Sequence, residues 1–340
     1  MKISGDFFDD AVSLYDWPHH DGTFVPPAPD TILFHFTDLP DVQSAIDVLA
    51  ARRLSTHLLI GRDGSLTQML PFDRIGRHAG NSTYLGREGF NRFAIGIEMD
   101  NCGRLCTVTT DGGLHASCGK KIPLSLAEPG IHAHENFETL WHNYTKEQLN
   151  RVAIVCAGLV KTYGITSILG HDEVAPGRKI DPGPVFPMST LRVRFLGVPV
   201  PRTKQDVAAT PIFPVLPRPD AAAPPLLACP LAPGTRCAIS ARHDQTVYDI
   251  QESGQWQRIF FSMEGYVRCH KIVPISGKMY MIQDAGAQLY PAPEDREPLF
   301  TAFLPRGAVL RVSGPGSDWR RAAVCCAGWV RCEENFAAAP

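Results

Sequence analysis

Two stretches of this chain are apolar almost without interruption: Thr31-Ile32-Leu33-Phe34-His35-Phe36 and Phe93-Ala94-Ile95-Gly96-Ile97-Glu98-Met99. Runs this short and this apolar predict strands buried on both faces of a sheet. Between them Val42, Ala45, Ile46 and Leu49 recur at helical spacing behind a capping Asp41, which predicts a helix over 41–53. His57 to Ile60 and Leu66 to Leu70 read as a hairpin turning at Arg62-Asp63-Gly64-Ser65. Further on, Thr145-Lys146-Glu147-Gln148 is a capping box. The helix it opens buries Leu149, Val152, Cys156, Leu159 and Tyr163 and stops at Gly164. Thr166 to Leu169 returns to β-type residues, and Pro187 to Phe195 reads as a closing helix.

The chemistry gathers after that last short strand, in Gly170-His171-Asp172-Glu173-Val174-Ala175-Pro176-Gly177-Arg178-Lys179-Ile180-Asp181-Pro182-Gly183-Pro184. His171 stands at the strand exit, and the Ala175-Pro176-Gly177 turn reverses the backbone so that Lys179 and Asp181 return toward it. An imidazole and a carboxylate brought together this way suit zinc, which takes three protein ligands in catalytic sites and keeps one position open. His35 is the candidate third ligand, because it too ends a strand, and α/β sheets gather ligands beyond strand carboxyl ends.

Together, "ILFHFT" around His35, "IGIEMDN" around Glu98 and "GHDEVAPGRKIDPGP" resemble the type-2 N-acetylmuramoyl-L-alanine amidases, over roughly residues 30–196. That fold is shared with peptidoglycan recognition proteins and amidase-type phage lysozymes. The resemblance implies an α/β domain, a mixed central sheet flanked by helices. It also implies zinc on His35, His171 and Asp181, Glu98 as general base and Lys179 as the cation facing the developing oxyanion. His78 and Asn91 match "HAG" and "N" positions of the family and are expected on the substrate groove. A tyrosine frequent in other branches is Thr56 here, so no role carries over from it. The implied reaction splits the amide between N-acetylmuramic acid and the L-alanine of the stem peptide.

The other features decide what surrounds that domain. With 44% hydrophobic and 20% charged residues and a net charge of −2, the 340-residue chain makes no case for nucleic acid. It has no run of membrane-span length, and its first ten residues lack the apolar core of a signal peptide. Ten cysteines without a CxxC pair read as reduced thiols rather than a four-cysteine zinc site. Residues 1–30 are expected as an irregular arm of the 1–196 amidase domain, and 101–144, with its cysteines and histidines, as a surface insertion beside the groove. A Pro-rich linker follows at 197–225.

Beyond it, Ser253-Gly254-Gln255-Trp256 recurs as Gly316-Ser317-Asp318-Trp319, and Gly265-Tyr266-Val267-Arg268 recurs as Gly328-Trp329-Val330-Arg331. These resemble bacterial SH3-like domains, expected as one or two small all-β barrels, with repeats at 226–275 and 276–336, that deliver the enzyme to polymeric wall. Peptidoglycan or muropeptides are thus the expected partners, and an immunity or inhibitor protein, if there is one, is unknown. The competing readings are a cytosolic amidase that recycles muropeptides and a non-catalytic peptidoglycan-binding protein.

Overall fold

The computed structural model describes residues 2–197 and 247–331, apart from 15, 109–112, 136, 254–255, 284–286, 291, 294–297, 299–303, 315 and 317. The expected linker and the first part of the expected first barrel, 226–246, lie outside the described residues, as do 332–336.

Six strands form the first sheet, in the spatial order Ser167–Gly170, Thr31–Phe36, Ala94–Met99, Leu58–Ile60, Leu66–Gln68, Val12–Ser13. The first four are mutually parallel and Leu66–Gln68 runs antiparallel to Leu58–Ile60, so the sheet is mixed, as expected. The period of two along a strand sorts its side chains. Ile32, Phe34, Ile95 and Ile97 pack beneath the helices Lys146–Tyr163 and Met188–Leu196, in a core with Val152, Cys156, Leu159 and Leu191. His35 and Glu98, directly paired in register, sit at the alternate positions of these two strands. Ala45 of the helix Val42–Ala51 packs with Leu59, Met69 and Leu70 in a separate cluster.

Both long helices begin where the sequence places them. Asp41 Oδ1 accepts from Ser44 N at 2.7 Å, and Thr145 caps its helix with the reciprocal Gln148 contact complete. Thr145→Ala should therefore cost about 1 kcal/mol. Chemical denaturation would read this as a lower midpoint with an unchanged slope.

The N-terminal arm is more than a wrap. Phe8 is buried edge-on against Phe72 at 5.2 Å, its N–H donates to Gln68 Oε1, and Val12–Ser13 joins the sheet as its edge strand. A single buried aromatic anchors a segment without generating any periodicity.

The insertion, expected as a surface element beside the groove, has a sheet of its own. It folds as a five-stranded antiparallel sheet in the order Lys121–Ile122, Leu114–Ala116, Arg104–Val108, Thr139–His142, Ala127–Gly130.

The described C-terminal residues are strand-rich, with a six-stranded sheet in the order Val247–Ser253, Trp256–Arg268, Trp319–Arg331, Val309–Ser313, Met279–Ile282, Ile272–Ser276. The two Trp-bearing strands of the repeat pair with each other along their whole length, from Trp256↔Arg331 to Arg268↔Trp319. Among the described residues the repeat therefore supplies two strands of one sheet, in the region where one or two small barrels over 226–275 and 276–336 were expected.

Nor is this sheet loosely attached. Met281 and Val309 share a core with Cys102, Leu105, Leu114 and Leu140 of the insertion, and Phe137 of the insertion is buried among Val267, Leu310 and Val324. Backbone bonds reinforce the join, Glu138 N to Cys325 O at 3.2 Å and Val309 N to Glu138 O at 2.9 Å. No helix among the described residues is long and apolar enough to cross a membrane.

Candidate metal centre and active site

Three ligand-type atoms from two distant parts of the sequence meet at the carboxyl ends of the parallel strands. His35 Nδ1 lies 2.9 Å from His171 Nδ1 and 3.0 Å from Asp181 Oδ2, and His171 Nδ1 lies 2.9 Å from Asp181 Oδ2. All three residues are buried, and they form the one His/Cys/Asp/Glu cluster among the described residues with metal-binding spacing. His35 ends its strand, His171 opens the four-residue helix His171–Val174, and Asp181 returns on the loop behind it.

Neighbouring groups set the tautomers. His171 Nε2 is 3.0 Å from the Ala79 carbonyl, which can only accept, so the proton sits on Nε2 and the Nδ1 lone pair faces the cluster. For His35 the same result passes through His78. His78 Nε2–H donates to the Ala94 carbonyl at 3.2 Å, leaving its Nδ1 to accept from His35 Nε2–H at 3.0 Å. Both imidazoles thus present lone pairs to each other and to a carboxylate oxygen, an arrangement that repels unless a cation lies between them. The separations approach the roughly 3.3 Å expected between ligand atoms of tetrahedral zinc with bonds of about 2.0–2.1 Å. The residues fit zinc.

The electrostatics agree. Burial, and then the neighbouring His171, push the His35 imidazole down to about 4, favouring its neutral form. Burial alone would raise the Asp181 carboxyl, yet the electrostatic pull of the adjoining His171 and His35 rings holds it well below the usual carboxylate range.

His78 and Asn91 were both expected to contact substrate. His78 does line the catalytic cavity, but its ring is committed to His35 on one side and Ala94 on the other. Asn91 uses its amide oxygen within the protein. Its Oδ1 accepts from His78 N at 3.0 Å and Ala79 N at 2.7 Å, stapling the loop whose carbonyl orients His171. Glycine at 96 makes room for the His78 ring, since a Cβ there would meet His78 Cγ at 2.6 Å. Gly96→Ala should therefore displace His78 and weaken zinc binding about tenfold or more, the scale of groups that orient metal ligands. A chelator competition reads it, and an unchanged affinity would remove His78 from the support of His35.

Glu98 lines the same cavity, of about 570 Å³, with Lys179, Arg178 and Arg104. Its Oε2 is out of water and has no hydrogen-bond partner among the described residues. Burial, then the Asp181 carboxylate, push its carboxyl up to about 8, against the pull of Lys179. Sequence reasoning missed Arg178, whose Nη2 donates to the carbonyls of Ala79 and Asn81 at 2.8 and 2.7 Å. It adjoins Lys179 in the same motif, but its partners lie about a hundred residues upstream and leave no local signal. Arg104 and Ser117 bring the insertion to the cavity wall.

Comparison with known proteins places the surrounding domain in a family. The pattern of the family described as N-acetylmuramoyl-L-alanine amidase matches residues 26–184. The chain is 32% identical over 163 residues to the 1,6-anhydro-N-acetylmuramyl-L-alanine amidase AmpD of Escherichia coli K12, covering 47% of this chain and 69% of that protein. It is 24% identical over 180 residues to the N-acetylmuramoyl-L-alanine amidase AmiD of the same organism, covering 50% of this chain and 55% of the relative. Among solved structures, Citrobacter freundii AmpD is similar at 27% identity and a TM-score of 0.36, covering 58% of this chain and 96% of that one. Through residues 26–184, with its His35–His171–Asp181 centre, the chain belongs to the N-acetylmuramoyl-L-alanine amidase family.

Proposed function

We propose that this chain hydrolyses the amide bond between N-acetylmuramic acid and the L-alanine of a stem peptide. The observation that carries the reading is the convergence of His35, His171 and Asp181 beside Glu98 and Lys179 in one cavity. Zinc held by the three ligands would supply Lewis acidity at the scissile carbonyl and a water acidified toward a pKa of about 7. Glu98 takes the proton of the attacking water on a carboxylate oxygen and delivers it to the leaving amine nitrogen. A carboxyl whose pKa lies near neutrality suits both transfers. Lys179 presents its ammonium to the carbonyl oxygen as negative charge grows there, and Lys179→Met should slow turnover roughly a hundredfold or more. Steady-state rates on a purified muropeptide check this, and near-wild-type turnover would take Lys179 out of the chemistry. A non-catalytic binding protein has no use for an uncompensated carboxyl beside a metal cluster.

The form of the substrate divides two readings. If the C-terminal sheet is an SH3-like wall-binding module, intact sacculi are the substrate. The second reading, a small soluble anhydro-muropeptide, is favoured by the name of the E. coli relative and by the packing of the C-terminal sheet onto the catalytic half. Incubating the full chain with sacculi and with anhydro-muropeptide, followed by mass analysis, separates them. Release of stem peptides beginning with L-alanine is the expected product of either. Cleavage at any other bond would overturn the assignment.

A further inference from the structure

The metal ligands His171 and Asp181 are carried by a four-residue helix and the loop behind it. A helix this short closes almost none of its own hydrogen bonds and cannot fix a side chain by itself. Its position is set from outside, on two sides. On one side Glu173 accepts from Gly170 N at 2.7 Å and pairs with Arg192 of the last helix. On the other, support arrives from the insertion. His132 Nδ1 accepts from His134 N at 3.3 Å, so its Nε2–H donates to Asp172 Oδ2 at 3.0 Å, and His134 Nε2–H donates to the Asp172 carbonyl at 3.1 Å. Asp172 N in turn donates to the Asp181 carbonyl at 2.8 Å, tying the residue after one ligand to the other ligand itself.

This strut is itself held. His132 is buried and lies parallel to the Trp141 ring at 6.0 Å, and Trp141 Nε1 donates to Gly130 O. A few residues on, Phe137 is buried in the core of the C-terminal sheet and Glu138 exchanges backbone bonds with it. His132 and His134 therefore meet the backbone and side chain of the metal loop, and Phe137 and Glu138 meet the C-terminal sheet.

We propose that His132, through Asp172, is a positioning residue for the zinc centre, making the insertion part of the metal site's support. The proposal rests on zinc at His35, His171 and Asp181. It goes beyond that reading by assigning a task to a segment outside the three motifs. His132 touches neither metal nor substrate. It restricts where His171 and Asp181 can stand, and so should act on metal affinity and ligand geometry.

The test uses the full-length chain carrying His132→Leu, His132→Gln or Asp181→Ala. Zinc dissociation constants come from competition with a chromogenic chelator, and the cobalt-substituted proteins supply a visible ligand-field spectrum. Melting of the metal-free proteins reports folding separately. His132→Leu should weaken zinc roughly 10- to 100-fold, the range for outer groups that orient ligands, and should shift the cobalt bands. His132→Gln keeps a donor aimed at Asp172 and should recover affinity to within about threefold. Wild-type affinity and spectrum in His132→Leu would overturn the proposal, as would equal losses in the Leu and Gln variants. If His132→Leu fails to fold, Gln alone decides, since a positioned donor predicts near-wild-type affinity and a large loss refutes it. Full zinc occupancy in Asp181→Ala would instead overturn the underlying metal assignment, whatever the His132 variants do.

Discussion

Asp181→Ala should leave the folded chain with almost no bound zinc and no measurable amidase activity. Three atoms within 3.0 Å of one another hold the site, and Asp181 Oδ2 is the one anionic member. Removing it deletes a ligand and leaves two buried neutral imidazoles with their lone pairs facing each other. Two histidines alone bind zinc far more weakly than a three-ligand set, and the open position needed for water is then no longer defined. Metal analysis after gel filtration, beside a chelated wild-type sample, provides the measurement. A variant that keeps one zinc per chain would show the carboxylate to be an outer group only.

Glu98→Gln should lower turnover by roughly a hundredfold to ten-thousandfold, the scale of a positioned general base, with zinc content unchanged. The amide keeps the shape of the side chain and loses the ability to accept the proton. A second signature follows from its pKa. In the metal-free chain burial raises this carboxyl from 4.5 to about 8, so the folded state holds its proton more tightly than the unfolded chain does. The stability linked to that proton is fully present below pH 4.5 and is lost as pH rises through about 8. Asp172, raised to about 7 chiefly by burial, titrates in the same direction. Glu98→Gln should therefore flatten part of the stability decline toward alkaline pH and leave the Asp172 part. Denaturation midpoints of the metal-free proteins between pH 5 and 9 measure it, and identical slopes would mean that Glu98 is solvated in the folded state.

The cluster of His35, His171 and Asp181 was legible in the sequence because each member is tied to a local signal. His35 and His171 terminate apolar runs, and Asp181 follows a turn that reverses the chain. The helix starts were legible for the same reason, since a cap is settled within four residues. What escaped depends on pairs far apart. Asn91 carries the right residue type at a matching position, yet its direction is fixed by the loop it staples. His132 and His134 read as loose histidines in an insertion, since nothing in their spacing names Asp172 as a partner forty residues away. The recurrence of the Trp segments is visible in the sequence itself. Whether such strands close on themselves or pair with each other is a question of tertiary edges, on which a repeat is silent.

The burial of Phe137 in the C-terminal core bears on how such a protein can change by inheritance. Appended wall-binding regions that hang on a free tether can be exchanged as cassettes, since neither side misses the other. Here the catalytic half lends an aromatic side chain and both backbone groups of Glu138 to the tail, and the tail covers Leu105, Leu114 and Leu140 in return. A tail transplanted without residues 101–144 would arrive with a hole in its core, and an amidase stripped of it would expose an apolar face to water. The two are bound to be inherited as one unit, each selecting what the other is allowed to become.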